Sequence, residues 1–352
     1  MMTVHKGISL YPGLGMPLDE MLRRLDEAAG LGVDRLFLSF HIPETDPAAF
    51  DRQVAPLLSR ARELGLATVG DLVPGKPVPA DLTSLRLDDG FTPEAVAALQ
   101  RDYPDRTLVL NASAVTEDQL EALQKAGVDF AKVEALHNFY PHPHTGISVP
   151  YFLKQNALLR RVGIPVGAFV ASQAGKRGPL QEGLPTLEQD RHRSVSIGAR
   201  QLAALGAGTL FIGDDGPSRE ELQALCRLEE GVLELTLEVF QWRPYHDILA
   251  THVYETRPEE AEEVIRTANS RALWKDVDIP EIPFRRCHPG DVTLDNDRYG
   301  RYAGELEICK TELPADKRVD VLGRIPAEEQ FLLQYLTGGK KFRFRPVARL
   351  TR

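Results

Sequence analysis

Asp88 and Glu134 are the two carboxylates whose setting best suits bond-breaking chemistry. Asp88 lies in Leu85-Arg-Leu-Asp-Asp-Gly-Phe91 and Glu134 in Phe130-Ala-Lys-Val-Glu-Ala-Leu-His-Asn-Phe-Tyr-Pro141. Alternation along an extended segment sets Arg86 and Asp88 on one face, and Lys132 and Glu134 on one face. Two carboxyl groups flanking a sugar are what glycoside hydrolysis needs. One protonates the leaving oxygen and the other supports the positive charge that develops. Each also has a structural alternative: Asp88 paired with Arg86 or Lys132 while Asp89 caps a turn, and Glu134 held in a network with Lys132.

The segment Ser172-Gln-Ala-Gly-Lys-Arg-Gly-Pro-Leu-Gln-Glu-Gly-Leu-Pro-Thr186 is long for a connection, and long loops in compact domains are usually functional. Lys176 and Arg177 lie between Gly175 and Gly178, where backbone amides and cations can gather around an anion. Arg191 or His192 can add to them. The carboxylates of Asp214-Asp-Gly216 can contact sugar hydroxyls, belong to the catalytic set or cap the helix near Ser218. Tyr11, His41, Asp71, Asn111, Asn138 and Tyr140 complete the candidate substrate contacts. His142-Pro-His144 has two histidines one residue apart but no third ligand at metal-site spacing, so no metal is expected. Gly13-x-Gly15 lacks the rest of a dinucleotide fingerprint, and no cofactor is expected.

These residues fall at the ends of apolar runs that read as strands: Gly7–Tyr11, Arg35–His41, Ala67–Leu72, Leu85–Asp89, Thr107–Asn111, Phe130–Asn138, Pro165–Ala171 and Thr209–Asp214. Seven helical patterns fill the gaps. Leu18, Met21, Leu22, Leu25 and Ala29 make one such stripe. Thr92-Pro93, Thr116-Glu-Asp-Gln119, Thr186-Leu-Glu-Gln189 and Ser218-Arg-Glu-Glu221 are helix starts. Eight strand–helix units close into an α/β fold, the (β/α)8 barrel, with its chemistry at the C-terminal strand ends. Domain one is expected over residues 1–241, its final helix running from Arg219 to about Val239. The pattern changes near Gln241-Trp-Arg-Pro244. Residues 245–352 read as a smaller, mainly antiparallel β domain. Its strands are expected at His246–Val253, Asp291–Leu294, Glu305–Cys309 and Phe342–Phe344, and its helices over Pro258 to about Leu273 and Pro326 to Thr337.

The chain has 352 residues, 43% hydrophobic and 26% charged, with a formal charge of −9. That balance argues against a nucleic-acid partner, which calls for a basic face. No apolar run approaches the roughly 20 residues of a membrane span, so no membrane partner is expected. Three widely spaced cysteines, Cys226, Cys287 and Cys309, read as free thiols of a reducing compartment. The chain enters a strand by Gly7, leaving no room for a signal peptide. The expected localisation is cytoplasmic.

Gly-Ile-Ser-Leu-Tyr-Pro-Gly at 7–13, Leu-Ser-Phe-His-Ile-Pro-Glu at 38–44, Leu-Arg-Leu-Asp-Asp-Gly-Phe at 85–91 and Leu-Asn-Ala-Ser at 110–113 look like family signatures. So do His-Asn-Phe-Tyr-Pro at 137–141, Gly-Leu-Pro-Thr-Leu-Glu at 183–188, Asp-Val-Thr-Leu-Asp-Asn-Asp-Arg-Tyr-Gly-Arg-Tyr at 291–302 and Gly-Glu-Leu at 304–306. On these the chain resembles the bacterial 6-phospho-N-acetylmuramidases, a group long labelled outer surface proteins of unknown function. The resemblance implies a (β/α)8 barrel followed by a cyclophilin-like domain. It also implies a cytoplasmic glycosidase of cell-wall (peptidoglycan) recycling. The substrate would be a phosphorylated amino-sugar disaccharide, cleaved at the β-1,4 bond between N-acetylmuramic acid 6-phosphate and N-acetylglucosamine. Where the family commonly has a His-Arg pair one residue after Thr-Leu-Glu, this chain has Asp190-Arg191, with His192 the nearest imidazole. Two other readings stand beside it: a sugar-phosphate isomerase or aldolase using Lys132 as Schiff base, and a non-catalytic phosphosugar-binding protein. The second domain is expected to close the barrel mouth or to make the subunit contact of a homo-oligomer.

Overall fold

The computed structural model describes residues 4–72, 77–88, 90–240, 245–279, 282–283 and 285–348. Asp89 and the 241–244 segment, both used in the sequence reading, lie outside the described residues. Packing divides the chain into two compact units, Met1–Leu228 and Glu229–Arg352.

The first unit is the expected barrel. Its strands are β1 His5–Leu10, β2 Arg35–Leu38, β3 Ala67–Leu72, β4 Ser84–Leu87, β5 Thr107–Asn111, β6 Val133–Leu136, β7 Val166–Val170 and β8 Thr209–Ile212. They pair in parallel in sequence order, and β1 closes the circuit on β8. Helices α1 Leu18–Leu31, α2 Pro47–Glu63, α3 Pro93–Asp102, α4 Glu117–Lys125, α5 Val149–Arg161, α6 Val195–Ala204 and α7 Arg219–Cys226 complete the unit. Thr92 caps α3, and Thr116 and Ser218 form the capping boxes of α4 and α7. One expected helix is absent: among the described residues, none joins β3 to β4. Thr186 does not cap a helix either. Its hydroxyl accepts from the Phe169 amide and donates to the Asn138 carbonyl, and α6 starts later, capped by Ser194.

Strand alternation sorts the barrel interior into layers. Phe37, Val69, Val109, Leu136, Phe169 and Phe211 form an apolar plug across it, with Tyr11 and Leu184 packed on the same cluster. Gly7 is obligatory in this plug: a Cβ there would lie 2.1 Å from the Phe211 ring. The plug makes the interior a packed core, which leaves the chemistry to the rim.

The expected last helix, Arg219 to Val239, is in fact two elements. α7 stops at Cys226, and Val232–Val239 is strand β9 of the second unit. Leu233, Leu235, Leu237 and Val239 are buried while Glu234 and Glu238 are not. That is a period of two, a strand pattern that helical spacing cannot satisfy. The units therefore divide before β9, earlier than residue 241.

In the second unit β10 Val253–Glu255, β11 Val264–Arg266, β12 Asp291–Asp295, β13 Leu306–Cys309, β14 Val319–Arg324 and β15 Lys341–Ala348 join β9 in one curled sheet, order β10-β15-β9-β14-β12-β13-β11. All its strand pairings are antiparallel except β9 with β15. Three expectations change here. The His246–Val253 run is mostly helix α8 His246–Thr251. The Pro258–Leu273 run holds β11 and only the short α9 Ser270–Leu273. Pro326–Thr337 narrows to a 3-10 segment, Gln330–Tyr335. No helix among the described residues is long and apolar enough to cross a membrane.

Candidate active site

Glu134 does not reach the rim. The run Phe130–Lys132 is a 3-10 turn, so β6 begins only at Val133 and Glu134 is its second residue. Its side chain points into the barrel one layer below Leu136, on the N-terminal side of the apolar plug. There it accepts two hydrogen bonds from Arg35, at 2.5 and 3.0 Å. Arg35 is itself the first residue of β2. The pair closes the barrel floor and is separated from any rim substrate by the aromatic layer. The expected catalytic role and the expected Lys132 partner are both corrected. Lys132 instead donates to the Pro104 carbonyl, on the N-terminal side of β6, which removes the Schiff-base lysine from the rim.

Asp88 follows the last residue of β4 and is half-buried. Neither expected partner engages it, since Arg86 turns to Asn138 and Lys132 lies at the floor. Among the described residues its carboxylate has no hydrogen bond or ion pair. It lines a recess of 180 Å³ with Phe91, Asn111 and Gln119. Asn111 caps the turn after β5 through the Ser113 amide.

Asp71, at the end of β3, pairs in register with Arg86. It is buried, and accepts from the Ser39 hydroxyl and the Phe40 amide. Burial pushes its carboxyl above the usual carboxylate range, against the pull of those two donors and of Arg86 and His41. Asp71 of β3, Arg86 of β4 and Asn138 of the segment after β6 therefore form a continuous polar set, with His41 beside it and Asp88 two residues beyond Arg86. Tyr140 is half-buried on the loop after β6, its amide bonded to the Pro185 carbonyl.

The loop after β7 is ordered from within. Asp214 is fully buried and accepts from the amides of Ser172, Arg177 and Leu184 at 2.9, 2.9 and 3.2 Å. It shapes the loop and leaves no oxygen for a sugar. Arg191 is corrected likewise. Its guanidinium is bonded to Glu188 and to the carbonyls of Gly183 and His142. Arg191, followed by the amides of His144 and Gly146, holds the Glu188 carboxyl down at about 2. Gly175 lies so close to Gly216 that a Cβ would fall 2.3 Å from the Gly216 carbonyl oxygen. The glycine there permits backbone contact between the β7 and β8 loops.

Arg177 is different. Only 9% of it is exposed, its guanidinium lies 4.5 Å over the Tyr11 ring and 5.2 Å from Phe139, and among the described residues its Nη1 has no hydrogen-bond partner. It forms part of the wall of an open cleft of 520 Å³ with Gly13, Met16, Glu44, Gln53 and Asp215. Tyr11 is wholly buried beneath it and donates to the Gly213 carbonyl, so it supports the cation and does not touch a ligand. Lys176, half-buried, is the neighbouring cation. Among the described residues no three His, Cys, Asp or Glu side chains are placed to hold a metal ion. Sequence reasoning missed the Gly13–Pro17 loop as a cleft wall and Phe139 as a ring beside Arg177. Their only local signal was position after strands one and six.

Residues 6–227 match the family model described as 6-phospho-N-acetylmuramidase, N-terminal, and residues 233–345 match its C-terminal counterpart. The chain belongs to the 6-phospho-N-acetylmuramidase family. It is thus a member of a glycosidase family, and the break between the two matches coincides with the break between its compact units. The chain is similar to the crystal structure of an uncharacterized B. cereus protein, at 25% identity and a TM-score of 0.86, covering 98% of this chain and 100% of that one. It is also similar to a conserved Enterococcus faecalis protein of unknown function, at 26% identity and a TM-score of 0.70, covering 97% and 96%. No curated protein matches the chain. For this 6-phospho-N-acetylmuramidase family member, the rim offers a free carboxylate, a buried acid of raised pKa and an unsatisfied guanidinium. That set suits acid–base cleavage of a glycoside carrying an anionic group.

Proposed function

We propose that the protein hydrolyses the β-1,4 bond between N-acetylmuramic acid 6-phosphate and N-acetylglucosamine, in the cytoplasm, during recycling of cell-wall fragments. The observation that carries the substrate class is Arg177, a guanidinium held over Tyr11 at a cleft wall with one Nη unpartnered. A phosphate or lactyl carboxylate supplies the acceptor that the protein does not. In the catalytic pair Asp71 takes the place expected of Glu134. Burial raises its pKa, the direction that a proton donor to the leaving oxygen needs. Asp88 faces the developing positive charge as a carboxylate. We read the second unit as cyclophilin-like in shape, with no isomerase activity attached to that shape.

The test is release of N-acetylglucosamine from the phosphorylated disaccharide, compared with the same disaccharide lacking phosphate. Turnover is expected with the first and a rate at least about tenfold lower with the second. Asp88→Asn is expected to lower kcat by about a thousandfold or more. Near-normal turnover in Asp88→Asn, or no preference for phosphate, would reject the assignment.

A further inference from the structure

The second unit contains a polar recess of its own, of 440 Å³. It opens on the sheet face that carries Thr293 and Asp295 of β12 and Glu307 of β13. Tyr299 and Tyr302, from the 3-10 segment after β12, stand at its wall with their rings edge to face at 6.0 Å.

Its charges are unevenly paired. Glu305 is matched by Arg266 at 2.6 Å, Arg257 at 3.3 Å and Arg271 at 3.9 Å, and Asp316 by Arg318 at 2.5 Å. Among the described residues Glu307 pairs only with Arg266, at 3.7 Å, which is already bonded to Glu305. Asp295 is 8% exposed, and among the described residues nothing donates to its carboxylate. Register sets Thr293 opposite Glu307, so Asp295 and Glu307 are diagonal neighbours on one face. The groups facing Asp295 are Glu305, Glu307, Asp316, Arg318 and Tyr299. Burial, then Glu307, push the Asp295 carboxyl up to about 8. Burial, then Glu305, raise Glu307 as well.

We propose that this recess binds a primary ammonium group on an aliphatic stem, its N–H donors reaching Asp295 and Glu307 and its stem lying against Tyr299 and Tyr302. An ammonium brings both the charge and the three donors that these oxygens lack. The tyrosine edges suit a stem, and their rings already attract cations: Arg318 lies 4.5 Å from the Tyr299 centroid and Arg301 4.8 Å from that of Tyr302. A hydroxyl ligand brings donors without charge, so it cannot offset the Asp295–Glu307 repulsion that returns once Asp295 ionises, and it releases no proton.

The empty recess keeps a proton on Asp295 at neutral pH, and a bound ammonium favours the carboxylate. Binding therefore releases a proton, and affinity falls about tenfold per pH unit below the Asp295 value. The test is calorimetric titration of the full-length protein with 1,5-diaminopentane in two buffers of different ionisation enthalpy. Saturable binding with proton release at pH 7 is expected, with affinity lowered at least about tenfold in Asp295→Asn. Tyr302→Ala should weaken binding while leaving the proton release intact. An unchanged melting temperature in Asp295→Asn keeps that result interpretable. No saturable heat, equal binding by Asp295→Asn, equal binding of 1-pentanol, or preferential binding of calcium or manganese would each overturn the proposal.

Discussion

Arg177 and Glu134 show how far a charged side chain's role depends on what its atoms already hold. Arg177 keeps a donor free, so Arg177→Lys removes a stacked planar fork as well as a hydrogen bond. The expected result is a KM for the phosphorylated disaccharide raised roughly 10- to 100-fold, with kcat little changed. An unmoved KM would show that no anion rests there. Glu134 is saturated by Arg35. Glu134→Gln is expected to keep kcat and to lose about 1–3 kcal/mol of stability, discounted from a fully buried pair because a quarter of the carboxylate side chain is exposed. A urea titration beside a turnover assay separates the two effects. A large kcat loss at unchanged stability would return Glu134 to the catalytic set. Its residue type was legible in the sequence, but its partner, 99 positions away, was not.

At the scale of elements, β6 and α5 are joined through His137. The imidazole is fully buried, bonded to Ser113 Oγ and Asn156 Oδ1 at 3.0 Å each, and stacked on Phe152. Burial pulls its pKa from 6.5 down to about 4. Below 6.5 the unfolded chain takes up a proton that the folded chain refuses until about 4. Stability from this site is therefore complete above pH 6.5, declines as pH falls through that window, and levels below it. The difference in unfolding free energy between wild type and His137→Gln should narrow from pH 7 to pH 4. A flat difference would mean that the folded chain takes up the proton as readily as the unfolded one. The sequence shows a histidine beside strand six. It does not show that the side chain faces the helix, away from the rim where its neighbour Asn138 belongs.

For the whole molecule, the position of the break between units has a measurable consequence. All eight barrel strands find their partners before Leu228. Strand β9 instead pairs with β15 over eight residues and with β14. A fragment of residues 4–228 is expected to be monomeric and to melt cooperatively. One ending at 244 carries β9 with both edges open and its leucine face bare, and is expected to aggregate. Size-exclusion chromatography compares them, and equal behaviour would show that β9 needs no sheet. Turnover by the shorter fragment, set against the full chain, would reveal what the second unit adds.

By itself the sequence determined the count and order of the barrel strands and which residues share a face. These depend on local periodicity and on turn chemistry, which adjacent residues carry. Tertiary structure decided height and pairing. A 3-10 turn at Phe130–Lys132 started β6 three residues late and placed Glu134 on the floor, while Asp71, already expected at a strand end, gained Arg86 as its cross-strand partner. Parity along a strand survives such a shift only as a face; the level in a closed, tilted sheet is fixed by registers summed around the whole circuit, which no single segment contains.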